Sequence, residues 1–281
     1  MTIRESAKLR RDANSLCGTP TGPAAARRSS PAGATRATRG SFARRPRDTD
    51  AMNVTGEDRL QLTDWRRRVG ELYADVRGCA VPADAHARWR AVREELYRNH
   101  AASPVPPDRR AGFRAIHFPY DPAFRYELPL IRIEATGPGD ATSGDATSDP
   151  RGRAEAAAPL ALRLPISAGQ PLAFERVGWV EVPFEAGLRR LTLFWLPEYA
   201  GGLFMPFRDA TNGSATYGGG RYLLDTGKGA DLGGDPNRGT VVVDFNFAYQ
   251  PSCAFGPRWS CPLAPLENHL DLEVRAGERI A

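Results

Sequence analysis

Apolar residues recur at helical spacing in two windows near the start of the chain, and beyond about residue 112 the pattern changes to a period of two. From Thr63, the expected N-cap, they fall at Trp65, Val69, Leu72, Tyr73 and Val76, and Gly78 stops the helix. Pro82 and Asp84 open a second helix with Ala85, Trp89, Val92 and Leu96 on one face. Asn99 and the stretch Ser103-Pro-Val-Pro-Pro107 end it. Both stripes are expected to pack on each other or on a sheet, with Trp65 and Trp89 as core residues. His86 and His100 are expected in solvent.

Strands follow. Alternating runs are expected at Phe124–Leu128, Leu130–Glu134, Leu160–Leu164, Leu172–Phe174, Val177–Phe184 and Leu188–Leu196. Further runs lie at Leu203–Phe207, Arg221–Leu224 and Thr240–Phe247. Short strands with Gly and Pro turns and no βαβ alternation predict a mainly β (α+β) fold. The expected architecture is an antiparallel β-sandwich or barrel-like domain preceded by two amphipathic helices. Gly137 to Glu155 is low in complexity and reads as a long loop within a β-rich domain spanning 111–281. Residues 52–110 are the helical segment packed on that domain, and Pro251–Pro265 is expected to wrap a sheet edge.

Charge separates a third segment. Residues 1–51 hold eleven Lys and Arg against four acids, so this leader exceeds the chain's net charge of +5 and the rest is mildly acidic. The leader has few large apolar residues and is expected to be a disordered, Arg-rich extension. Met52 would be an alternative start just ahead of the first helix. The basic charge lies outside the folded part, which argues against nucleic acid as the domain's partner. No apolar run reaches the length of about 18 residues that a membrane span needs. No export signal precedes the four cysteines, Cys17, Cys79, Cys253 and Cys261, so reduced thiols and a cytoplasmic location are expected.

Candidate chemistry concentrates between residues 205 and 269. If Thr240–Phe247 is one strand, Val241, Val243, Phe245 and Phe247 share one face and Val242, Asp244 and Asn246 the other. Asp244 is then a candidate general base with Asn246 orienting the substrate; alternatively both cap turns. Arg208 could hold an anion bidentately, or Arg208 and Asp209 could fix the turn at Asn212-Gly213. Gly218-Gly219-Gly220, between Tyr217 and Arg221, lacks a phosphate-loop pattern and reads better as a bend or as room for neighbouring backbone. Residues 227–239 form a second Gly-rich run that could serve as a lid. Cys253, Cys261 and His269 are a weak candidate set of metal ligands, against an expectation of no metal.

The ordered phrases Met205-Pro-Phe-Arg-Asp-Ala-Thr211, Thr216-Tyr-Gly-Gly-Gly-Arg-Tyr-Leu223, Val243-Asp-Phe-Asn-Phe-Ala-Tyr249, the Cys253 and Cys261 pair, Glu267-Asn268 and Arg275-Ala-Gly-Glu278 resemble the domain-of-unknown-function family numbered 1684. The resemblance covers most of residues 113–279, and it implies no activity. Relatives commonly carry Arg where this chain has His269, which counts against a metal ligand there. Two functions are therefore carried forward. The first is a pocket for a small polar or anionic molecule, lined by Arg208, Asp209, Arg221, Asn246 and Tyr249, with Asp244 and Tyr217 for acid–base work. The second is a non-catalytic interaction or structural module whose polar block is an internal hydrogen-bond and ion-pair network. The motifs name no cofactor and no oligomeric state.

Overall fold

A computed structural model describes residues 55–133, 161–197 and 201–280. The Arg-rich leader and the low-complexity loop at 137–155 lie outside the described residues. Two long helices come first, α1 (Gly56–Gly78) and α2 (Pro82–Asn99), with a single turn α3 (Pro107–Arg110) behind them. Helix α1 starts about two turns earlier than its apolar stripe predicts. Thr55 accepts from Asp58 N while the Asp58 carboxylate accepts from Thr55 N, a reciprocal cap. Thr63 is an interior residue whose hydroxyl donates to Arg59 O at 2.9 Å.

The strands are β1 (Ile116–His117), β2 (Arg125–Pro129), β3 (Ile131–Arg132), β4 (Ala161–Leu164), β5 (Leu172–Phe184), β6 (Gly187–Trp195), β7 (Leu203–Phe207), β8 (Arg221–Asp225), β9 (Gly234–Asp235), β10 (Thr240–Asp244) and β11 (Glu278–Arg279). All named pairs are antiparallel. The order β3-β5-β6-β7-β8, with β4 also on β5, forms the larger sheet; β2-β10-β9 forms a smaller one and β1-β11 a ribbon. The two runs predicted at 172–184 are one strand, bent by a register shift between Arg176 and Gly178. Gly178 has a positional reason: a Cβ there would sit 2.2 Å from Ile131 O, so a side chain would push β3 off β5.

The layers follow from alternation. Val180, Val182, Leu191, Leu193, Met205 and Phe207 of the larger sheet meet Leu128 and Val243 of the smaller one in the main core. Val242, on the opposite face of β10, packs with Leu72, Tyr73, Val76 and Trp89 from the helices. The described chain is thus a sandwich of two sheets with a helical layer on the smaller one, and it closes no barrel. The Gly-rich run at 227–239 belongs to this packing: Ala230 and Leu232 are buried against the helices and β9 pairs with β10, so it is built in and is not a lid. Residues 261–263 run beside 165–167 through paired main-chain hydrogen bonds, covering the outer edge as predicted.

One ion pair fastens the helices to the sheets. Arg93 Nη2 of α2 lies 2.8 Å from Glu278 Oε2 of β11, with side chains 12% and 1% exposed. The guanidinium sits 4.3 Å and 4.7 Å from the rings of Tyr97 and Tyr249, and Glu278 also accepts the Gln250 amide at 2.8 Å. Removing one partner of a buried pair costs about 3–5 kcal/mol, because the other charge is left without compensation. Arg93→Met is therefore expected to lower the unfolding free energy measured by urea denaturation by that amount, and Arg93→Met with Glu278→Gln to recover a large part of it.

Candidate functional site

The phrase that begins at Arg208 folds as a tight loop between β7 and β8, and its charged members point to different places. Asp209 Oδ2 accepts the Thr211 hydroxyl at 2.7 Å and the Val274 amide at 2.8 Å, and Oδ1 accepts Arg221 Nη2 at 3.2 Å. Arg221 also donates to the carbonyls of Val274, at 3.0 Å, and Ala276, and lies over the Phe207 ring. Neither side chain of the pair has exposed surface. Asn212 closes the loop: its Oδ1 accepts from Asp209 N and its Nδ2 donates to Tyr217 O. Gly220 has φ +95°, and a Cβ there would meet Phe207 O at 2.6 Å, so the glycine run makes room for backbone.

Arg208 leaves this network. Its guanidinium donates to Gly218 O and borders a groove of about 700 Å³ shared with His269, Arg163 and Arg176 over a floor that includes Leu162, Leu164 and Leu263. Arg176 in that groove is held by the Glu267 carboxylate at 2.7 Å. Burial and the nearby Arg208 charge hold His269 below the ordinary histidine value.

Asp244 and Asn246 stay together, but by a turn and not by strand alternation. β10 ends at Asp244, and Phe245–Phe247 form a 3-10 turn. Asp244 caps this turn: Oδ1 accepts from Asn246 N at 2.9 Å and from Asn246 Nδ2 at 2.8 Å. The turn also carries Phe247 to the helical side, against the face predicted for it. Asn246 is fixed in turn by Asp121, whose N–H it accepts and whose carbonyl it bonds.

The second oxygen of Asp244 is different. Oδ2 is buried and accepts no hydrogen bond among the described residues; Arg125 Nε lies 3.7 Å away, too far for a direct bond. Burial raises the carboxyl from its usual range to about 6, and the Asn246 bonds and Arg125 only partly oppose this. Asp244 and Arg125 border a cleft of about 70 Å³ between the helices and β10, with Val76, Arg77, Leu232 and Phe247 among its walls.

Beside it lie two residues that patterning missed. His86 is 2% exposed, and its ring packs 6.0 Å from His117 and 5.3 Å from Phe247. Desolvation lowers His86 to about 4 and His117 to about 3, so both are neutral at pH 7. The expectation that His86 and His100 are solvated fails: His100 is 7% exposed and bonds Asp64 at 3.1 Å. The available signal was the spacing 86, 89, 93, 97, which puts His86, Trp89, Arg93 and Tyr97 on one stripe.

Tyr217 and Tyr249 sit elsewhere. Tyr249 lies on Arg93 and packs edge-on to Tyr222. Tyr217 donates its hydroxyl to Cys253 Sγ at 3.7 Å. Cys253 and Cys261 are free thiols, whereas Cys79 is disulfide-bonded, so the expectation of reduced thiols does not hold for Cys79. Among the described residues no group of three or more His, Cys, Asp or Glu is arranged to hold a metal ion, and Cys253, Cys261 and His269 do not converge as one.

Two outcomes test these placements. Arg221→Met leaves Asp209 buried without its counter-charge and is expected to cost about 3–5 kcal/mol by urea denaturation, whereas Arg208→Ala costs about 1 kcal/mol. For Asp244, a folded value raised to about 6 means that stability is lost as pH climbs from about 4 to 6, by about 3 kcal/mol at pH 7. The lowered histidines act in the opposite direction over the same range, so the comparison must be between variants. Asp244→Asn is expected to exceed the parent in stability at pH 7 and to lose that advantage at pH 4.

Among curated proteins none matches the chain. Of solved structures, an uncharacterized protein of Haloarcula marismortui, determined by solution NMR, is 30% identical over 68% of this chain and 90% of its own, with a TM-score of 0.45. No helix among the described residues is long and apolar enough to cross a membrane. The family model described as protein of unknown function (DUF1684) matches residues 111–279, from the end of the helical segment through β11, and the chain belongs to that family.

Proposed function

We propose that the chain binds a small polar molecule in the cleft between the helical layer and β10, with Asp244 as the acceptor at its floor. One observation carries this reading: Asp244 Oδ2 is a buried carboxylate oxygen that accepts no hydrogen bond among the described residues. Leaving such a group unsatisfied costs about 1–3 kcal/mol or more, and folds seldom retain it without a use. The cleft admits more than one water-sized group. A donor such as an ammonium, guanidinium or amide N–H fits Oδ2, and an acceptor on the same molecule fits Arg125. Asn246 has the orienting role, holding Oδ1 so that only Oδ2 is free. A carboxyl near pH 6 can also take up and return a proton, which is the form any catalytic role of Asp244 would take.

The alternative reading, an internal network, is favoured for a different set of residues. Asp209 and Arg221 have no exposed side-chain surface, so they serve as a brace for the domain that carries the cleft.

The test is an amide NMR titration of the full chain with methylammonium, methylguanidinium and acetamide. At least one should shift signals of Arg125, Val242 and Phe247, and Asp244→Asn should abolish those shifts while leaving the remaining spectrum in place. Shifts scattered over the surface, or unchanged in Asp244→Asn, would reject the site.

A further inference from the structure

The segment 251–265 carries a second cluster of reactive groups, on the opposite side of Tyr249 in sequence from Asp244 and unused by the cleft. Cys253 stands in a 3-10 turn, Ser252–Ala254, and is half-buried; Cys261 is 4% exposed behind it. The two are close: Cys253 N donates to Cys261 Sγ at 3.4 Å, and the Cys261 thiol also hydrogen-bonds the Cys253 sulfur. A further donor meets that sulfur, the Tyr217 hydroxyl at 3.7 Å, and Ser167, whose hydroxyl donates to Trp259 O at 3.3 Å, borders the same pocket. Ser167 is held in place by Cys261 N, which donates to its Oγ at 3.0 Å. In front of Cys253 lies an open pocket of about 450 Å³ bordered by Tyr217, Trp259, Ser167 and Arg109.

The geometry points to a thiol–disulfide exchange site, with Cys253 as the attacking sulfur, Cys261 as the resolving one and a small organic disulfide as the co-substrate. The Tyr217 hydroxyl and the Cys261 thiol, two donors directed at one sulfur, favour its thiolate, the form that attacks. The same contacts lower Cys253 and raise Cys261, because the buried thiol gives its hydrogen to its neighbour. Burial raises Tyr217 to about 12, so its phenol remains a donor near neutral pH.

The steps balance without any further reagent. Cys253 releases its proton, and its thiolate attacks one sulfur of the disulfide. That S–S bond breaks, and the first leaving thiolate takes up a proton. The Cys261 sulfur then attacks Cys253 in the mixed disulfide, forming the Cys253–Cys261 bond, and the second leaving thiolate takes the proton that Cys261 gives up. Two protein thiols are oxidised and one external disulfide is reduced to two thiols. Pro257 and Gly256 lie within the loop that the new bond would close.

Dipyridyl disulfide is the probe, used on the full chain with tryptic mapping, since Arg258 separates the two cysteines into different peptides. The expected wild-type product is the two peptides cross-linked to each other. Cys261→Ser should stop at a pyridyl adduct on Cys253, and Cys253→Ser should slow modification of Cys261 on the order of tenfold, as for an inert buried thiol. Separate adducts on both cysteines, cross-links to Cys17 or Cys79, or an unreactive Cys253 would each overturn the assignment. Circular dichroism of both serine variants shows that the comparison is made on folded protein.

Discussion

Two buried ion pairs converge on one short segment, and the arrangement of all three layers depends on them. Residues 274–278 give Arg221 three main-chain carbonyls and give Asp209 one amide. The same segment ends in Glu278, which takes Arg93 from α2. The β7–β8 loop, the end of β8, the C-terminal ribbon and the helical layer are thus tied through one stretch of backbone. Any one of the four charges left alone would face a desolvation penalty that the surrounding apolar core cannot relieve. Within the polar block, Asp209, Arg221 and Glu278 thus make connections between layers.

The cleft at Asp244 follows from the same layering. β10 is covered on both faces, by the larger sheet on one side and by the helices on the other. A strand in that position normally reads as continuously apolar, and Val241 to Val243 do. Asp244 breaks the run at the point where the strand becomes a turn. Its first oxygen satisfies the turn, and its second is left at the seam between the helices and the sheet.

Much of the fold was legible because it rests on period. The ends of α1 and α2 follow from Gly78, Pro82 and Asn99, and most strand limits from alternation. The start of α1 was missed because Thr55 and Asp58 act through a cap on residues outside the apolar stripe. The face of Phe247 was missed because a 3-10 turn ends the alternation at Asp244. The candidate site was less legible for a physical reason. Arg208 and Asp209 are adjacent in sequence, yet one borders a groove and the other is fully buried, and only tertiary packing decides which. Asp244 with Asn246, and Tyr217 with Cys253, are local or paired contacts; their separation into two sites depends on how 205–269 wraps. His86 and Arg93 share the stripe of Trp89, and only tertiary packing buries the His86 ring that was expected in solvent.

Arg93 and Glu278 are 185 residues apart in the chain, which places their contact late in the life of a nascent polypeptide. A ribosome delivers α1 and α2 long before it delivers β10 and β11, so Trp89, Tyr97 and the Arg93 side chain emerge with no sheet to cover them. Until the last strands arrive, the helical hairpin is an amphipathic pair with an uncovered face, the kind of surface that chaperones hold and that aggregates when they do not. Assembly is therefore expected to finish from the back: the ribbon at 278–279 completes the ion pair, and α1 and α2, made much earlier, are among the last elements to be fixed.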